Sequence, residues 1–204
     1  MLQRIKKFLQ IKYWRFNHIK YHEMISYDVE FNTSFRGKEF QTLKDCLRHY
    51  PYETRAVIIY RKYQANIGNF WGIYYGKKLD RFCLRTGIDF AWNPNIGKGL
   101  LIGHWGRIVL NGEAKFGDEI MLTHNITIGR DIRGKRVGVP TFGDKICIRT
   151  NSTVVGNITI GDDVLIAPNT FVNFDVPSHS VVIGNPATIH HKENATEGHL
   201  GRLK

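Results

Sequence analysis

From Ile96 onward, apolar side chains recur every six residues. They stand at Ile96, Ile102 and Ile108, then at Phe116, Leu122 and Ile128, then at Phe142, Ile148, Val154, Ile160, Ile166 and Val172. The string Asn-Ile-Thr-Ile-Gly occurs twice, at Asn125–Gly129 and Asn157–Gly161. A period of six is neither the 3.6 of an amphipathic helix nor the plain alternation of a half-buried strand. It marks a parallel β-solenoid, in which each repeat forms one short side of a coil and stacked coils share a core. Three hexapeptides close a triangular coil of about eighteen residues, so residues 96–177 supply about four coils. The first position of each repeat points inward. The second is small and is expected at a tight corner with unusual φ and ψ. Two breaks interrupt the period: a jump of eight from Ile108 to Phe116 and one of fourteen from Ile128 to Phe142.

The rest of the chain has a different composition. Residues 1–85 hold 17 Lys and Arg against 7 Asp and Glu, whereas residues 86–204 hold 12 against 11. Nearly all of the net charge of +11 therefore lies ahead of the repeats. Such a surplus suits nucleic acid, an anionic membrane surface or an anionic substrate. Nucleic acid is disfavoured, because no base-stacking or groove-reading motif accompanies the charge. Residues 1–22 read as a basic amphipathic helix that lies on a membrane surface or packs on its own trimer or on the next segment, or else as a disordered start. Residues 27–40 read as a loop. Helices are expected at Thr42–Arg48, Tyr52–Tyr63 and Asn69–Thr86, the last stopped by Gly87. Trp71, Tyr74, Tyr75, Leu79, Phe82 and Cys83 are expected to form its apolar face.

Three cysteines, at 46, 83 and 147, form no disulfide framework and no zinc motif, so no metal is expected. No segment reaches the roughly 18 apolar residues of a membrane span. The N-terminus also lacks the apolar core of a signal peptide, so a cytoplasmic protein is expected. The chain thus divides into a basic, mostly helical region (1–87), the solenoid (88–190) and a tail (191–204).

The stretch from about Tyr52 to Ile189 resembles the hexapeptide-repeat acyltransferases, in the branch of the serine acetyltransferases and the related capsule and exopolysaccharide O-acetyltransferases. The residues that carry the resemblance are Ile88-Asp89, Ile96-Gly97-Lys98-Gly99-Leu100, His104 with Ile108-Val109, and Asn125–Gly129. With them comes the terminator Val176-Pro177, His179-Ser180, Val182 and Gly184-Asn185-Pro186-Ala187. The resemblance implies a mainly β fold: a left-handed parallel β-helix of hexapeptide repeats with an N-terminal α-helical region. It further implies a homotrimer that uses acetyl-CoA as acyl donor.

By the same resemblance, His104 falls at the catalytic general base and Asp89 at its partner carboxylate. Their spacing agrees, because fifteen residues is close to one coil and would set Asp89 one layer from His104. A carboxylate on one imidazole nitrogen fixes the tautomer, and the other nitrogen can then take a proton from an attacking hydroxyl. His124, in the same phase of the repeat, is the rival base or an acceptor-binding residue. The first break, just after His104, is expected to splay the strands and leave room for a site. The resemblance places the coenzyme A groove at the coil corners Gly129, Thr150, Asn151 and Ala167, with Arg130 of the insertion beside it; Arg149 stands where the family has a small residue and either reaches a phosphate or is an exposed corner. Within the second break, Arg133 and Arg136 are expected to hold phosphates or an anionic acceptor, unless the segment is simply a solvated loop.

The chain departs from the serine enzymes at three places. Gly138 and Val139 stand where they carry an Arg-His pair, Gly103 where they carry an Asp, and the N-terminal region is shorter. These departures point to a sugar hydroxyl of a cell-surface polysaccharide or its precursor, acetylated at the membrane surface through the basic N-terminus. Serine or another small hydroxyl or amino compound is the alternative acceptor, and a non-enzymatic scaffold the more distant one.

Overall fold

The computed structural model describes residues 21–36, 52–90 and 95–200. The expected helices over 1–22 and Thr42–Arg48 lie wholly or largely outside these residues. Among the described residues, three helices precede the solenoid: α1 over residues 21–35, α2 at Tyr52–Ala65 and α3 at Phe70–Thr86. Fifteen short strands follow, from β1 (Ile88–Asp89) to β15 (Ala187–His191).

The strands form three sheets, one per side of a triangular prism. The first face is β1 (Ile88–Asp89), β4 (Ile108–Leu110), β7 (Ile126–Gly129), β10 (Thr153–Val155) and β13 (Phe171–Val172). The second is β2 (Asn95–Ile96), β5 (Lys115–Phe116), β8 (Thr141–Phe142) and β11 (Thr159–Ile160). The third is β3 (Leu101–Ile102), β6 (Ile120–Leu122), β9 (Ile146–Ile148), β12 (Val164–Ile166) and β14 (Ser180–Gly184), closed by antiparallel β15. The coil-to-coil pairs are parallel and keep the repeat in register, with Ile102 on Leu122, Leu122 on Ile148 and Ile148 on Ile166. The first face has five strands, one coil more than a count from Ile96 suggests, because the stack already begins at Ile88.

The core is a column of fully buried Ile, Leu and Val with two stacked aromatics, Phe116 and Phe142, whose ring centroids are 4.7 Å apart. Each such side chain contributes about 1.5–3 kcal/mol by leaving water. The small second position has a different cause from the one expected. Gly97, Gly117, Gly143 and Gly161 stack at the corner between the second and third faces, and all four sit outside the left-handed region. A Cβ on Gly117 would lie 2.1 Å from Asp144 Oδ1, and one on Gly143 2.1 Å from Asp162 Oδ1. Close approach of successive coils therefore selects glycine here. The carboxylates that crowd it hold the stack together: the Asp118 N–H donates to Asp144 Oδ1 at 2.7 Å, and the Asp144 N–H to Asp162 Oδ1 at 2.8 Å.

α2 and α3 cap the first coil, with Tyr60 stacked on Phe90 at 4.6 Å between centroids. Asn69 caps α3 by accepting from the Gly72 N–H, and Gly87 ends it at φ 73°, its N–H bonded to Cys83 O. Of the face expected on α3, Leu79 is buried and Phe82 and Cys83 are half-buried against the core, while Trp71 and Tyr74 stand exposed.

α1 corrects the reading of 27–40 as a loop over residues 27–35; residues 37–40 lie outside the described ones. Its inward positions include Asp28 and Asn32, four residues apart and both buried, so part of its helical stripe is polar and escapes a search for apolar periodicity. Asp28 Oδ1 accepts the Gly99 and Leu100 N–H groups, and Asn32 Nδ2 donates to Leu100 O. Phe31 and Phe35 of α1, with Leu200 of the tail, cover Leu101, Met121 and Cys147 on the third face. That face is closed within the chain. The first face carries Asp89, Val109, Thr127, Thr153 and Phe171 on its outer side in one register.

Candidate active site

The corner between the third and first faces is built once per coil. Because Ile102, Leu122, Ile148 and Ile166 are in register, the residues two places on fall in one row: His104, His124, Thr150 and Pro168. The next row is Trp105, Asn125, Asn151 and Asn169. The three asparagines have φ of 57°, 63° and 59°, a conformation Asn tolerates better than most residues. Asn151 Nδ2 donates to Asn169 Oδ1 at 3.1 Å.

This row sets two imidazoles side by side. The rings of His104 and His124 are 5.9 Å apart between centroids and nearly perpendicular, at 76°. Thr150 Oγ1 lies 3.4 Å from His124 Nδ1 and 3.3 Å from Thr123 Oγ1. His104 is exposed while its neighbour Gly103 is buried, so the ring stands at the lip of the corner. The segment after it is anchored by a residue that sequence reasoning missed. Buried Glu53, in the first turn of α2, accepts the Trp105 N–H on Oε1 at 3.2 Å. Nothing in the local sequence ties Glu53 to position 105, since 52 residues separate them.

The sequence-derived candidates divide between two corners. Arg149, Thr150, Asn151 and Ala167 share the corner of His104 and His124. Asp89 stands exposed on β1, paired with Val109 of the strand that follows His104. Gly129 ends β7 at the far edge of the first face, where the insertion 130–140 begins. Arg130 pairs there with Glu113, and Arg136 Nη1 pairs with Asp175 at 3.0 Å. Arg133 is exposed beyond them. The insertion is pinned at its base by the mutual backbone bonds of Asp131 and Gly138, and by the Asn157 N–H bonded to Arg136 O. Arg149 lies close enough to Cys147 and His199 to influence both. Burial first, then Arg149, lowers the pKa of His199. Burial pushes the Cys147 thiol up to about 11.

The first break does not splay strands beside His104. Its two extra residues make the turn Asn111–Ala114 at the opposite edge of the first face, and the β1–β4–β7 ladder runs through unbroken. Among the described residues, no group of His, Cys, Asp and Glu has the geometry of a metal site.

A solenoid of this kind is the architecture of solved serine acetyltransferases. The enzyme of Neisseria gonorrhoeae in complex with serine matches with a TM-score of 0.68 at 22% identity, over 84% of this chain and 69% of that one. A serine acetyltransferase in complex with cysteine matches with a TM-score of 0.71 at 19% identity, over 90% and 70%. In sequence, the chain is 37% identical over 122 residues to serine acetyltransferase 4 of Arabidopsis thaliana, covering 56% of this chain and 34% of that protein. It is 34% identical over 110 residues to the serine acetyltransferase of Helicobacter pylori, covering 54% and 63%. The chain thus spans between a third and just under two thirds of these two relatives. No family model matches. These relatives agree with the resemblance to hexapeptide-repeat acyltransferases, and they lend the capsule and exopolysaccharide branch no support.

Proposed function

We propose that this protein is an acetyl-CoA-dependent O-acetyltransferase with His104 as its general base. The observation that carries the proposal is the His104–His124 corner on a solenoid whose sequence relatives are serine acetyltransferases. The acceptor hydroxyl gives its proton to one nitrogen of His104 as its oxygen attacks the thioester carbonyl carbon. The tetrahedral intermediate then collapses, the carbon–sulfur bond breaks, and the leaving thiolate takes the proton back from the imidazolium. Asp89 is assigned to the other imidazole nitrogen, where a carboxylate stabilises the cation. His124, one coil on, is assigned to the acceptor or to the developing oxyanion. The donor lies along the corner at Arg149, Thr150, Asn151 and Ala167. Gly129, Arg130, Arg133 and Arg136 reach a donor or acceptor held by a neighbouring copy of a homotrimer.

For the acceptor, the relatives favour serine or another small hydroxyl compound over the polysaccharide expected from sequence. The sugar reading is kept as the second one by three residues. Gly103, Gly138 and Val139 have no side-chain charge with which to grip an amino acid zwitterion. Work at a membrane through residues 1–20 belongs to that second reading. Among the described residues no helix is long and apolar enough to cross a membrane.

The test is thiol release from acetyl-CoA with L-serine and with sugar acceptors. His104→Ala is expected to lower kcat by about 10²–10⁴-fold with the trimer intact. His124→Ala is expected to raise KM more than it lowers kcat. Full activity in His104→Ala would end the base assignment. Turnover with sugars and none with L-serine would select the second reading.

A further inference from the structure

A concave feature lies beside the corner that holds His104. Between α2 and α3 is a cleft of about 740 Å³, within the usual range of roughly 300–1,000 Å³ for small-molecule sites. Five cations line it: Arg55 and Lys62 from α2, and Lys78, Arg81 and Arg85 from α3. Their spacings of seven, three and four residues put each set on one helical stripe, so the two stripes face each other. Lys62, Lys78, Arg81 and Arg85 make no ion pair with any described carboxylate. Ile58, Ile59 and Phe82 give the cleft an apolar lining. Trp105, the residue after His104, is also part of its lining. The Glu53 carboxylate behind Trp105 is engaged with the Trp105 N–H.

On α3, Lys78, Arg81 and Arg85 are like charges three and four residues apart, spacings at which they repel. Burial, and then Lys78 beside it, lowers the pKa of Lys62. An anion would relieve this repulsion, and a phosphoryl group suits the forks of Arg81 and Arg85 with the ammonium groups of Lys62 and Lys78 better than a single carboxylate does. The cleft lies at the first coil, whereas the corner assigned to the acetyl donor runs the other way from His104, through Thr150 and Ala167.

We propose that this cleft binds the phosphoryl group of a phosphorylated acyl acceptor and presents the acceptor's hydroxyl to His104 past Trp105. The proposal rests on the acetyltransferase reading for the hydroxyl's fate, while the anion site can be tested without it. Calorimetric titration of the full chain with inorganic pyrophosphate, in the absence of acetyl-CoA, is the direct measurement. Binding at a single site is expected, weakened by at least about tenfold in the double variant Lys78→Ala, Arg81→Ala. The KM for acetyl-CoA is expected to stay unchanged in that variant. No binding to the wild type, or equal binding to both proteins, overturns the proposal. So does displacement of pyrophosphate by coenzyme A, which would give the cleft to the donor. Phosphatidylglycerol vesicles separate the sources. Co-sedimentation abolished by pyrophosphate and by the double variant marks a lipid-linked phosphoryl group; pyrophosphate binding with no co-sedimentation marks a soluble one. Retained pyrophosphate binding with no acetyl transfer to any acceptor would instead sink the acetyltransferase reading.

Discussion

Arg61 is fully buried, and its guanidinium is spent on four partners. Nε donates to Asp28 Oδ2 at 2.8 Å, Nη1 to Ile96 O at 2.7 Å and to Gln64 Oε1 at 3.0 Å, and Nη2 to Gly97 O. With Asp28 holding the Gly99 and Leu100 N–H groups, one ion pair ties α1 and α2 to the first coil. Removing one member leaves a buried charge without compensation, which costs about 3–5 kcal/mol. Arg61→Ala is therefore expected to lower stability by that amount in urea titrations, and an equal loss in Asp28→Asn would show that the pair acts as a unit. A loss below about 1 kcal/mol would mean that water replaces the guanidinium. Neither residue could be singled out from sequence. Arg61 looks like any cation on a basic helix, and Asp28 like a loop carboxylate, because their roles come from residues 33 and more positions away.

At the scale of elements, the bounds of α3 were legible to within one residue. Gly87 is the stop signal read from the sequence, and the structure uses it and adds Asn69 as the cap at the start. Asn69→Ala is expected to cost about 1 kcal/mol by leaving the Gly72 N–H without its cap. Gly87→Ala is expected to cost about 1–2 kcal/mol, since position 87 is left-handed at φ 73° and any Cβ is strained there. Equal melting curves for wild type and Gly87→Ala would refute this account of the helix stop. Strands and coils were likewise readable, because each inward position must be apolar whatever lies elsewhere in the chain. α1 was not readable, since part of the face it buries is polar and is satisfied by backbone groups of the first coil.

Across the whole molecule, the tail is clamped to the last coils by Asp163. Its Oδ2 lies 2.9 Å from His179 Nδ1 and accepts the Ala195 N–H, while Oδ1 accepts the Thr196 hydroxyl and N–H. Partial burial pushes the carboxyl up, but these hydrogen bonds outweigh it and hold the pKa at about 2. The clamp thus contributes stability that is present above the ordinary carboxyl value of 3.8 and lost as pH falls toward 2. The bond to Asp163 also raises the pKa of His179, so the imidazolium's share is complete below the ordinary 6.5 and fades as pH rises through the raised value. Hydrogen exchange of residues 192–200, corrected for intrinsic rates, is expected to show most protection between those limits. Protection independent of pH would refute the clamp. The tail and α1 cover the third face, whereas on the first face Val109, Val155 and Phe171 are half exposed.

By itself the sequence determined the solenoid, its starting point and the shared repeat phase of His104 and His124. A six-residue repeat is a local rule that every coil obeys, so spacing converts directly into position. Only the tertiary structure decided what surrounds those histidines. It placed the first break at a corner away from His104, gave Trp105 its anchor in Glu53, and turned two unremarkable basic helices into opposing walls of one cleft. These are contacts between segments tens of residues apart, set by how helices dock on the end of the prism, and no periodicity along the chain encodes them.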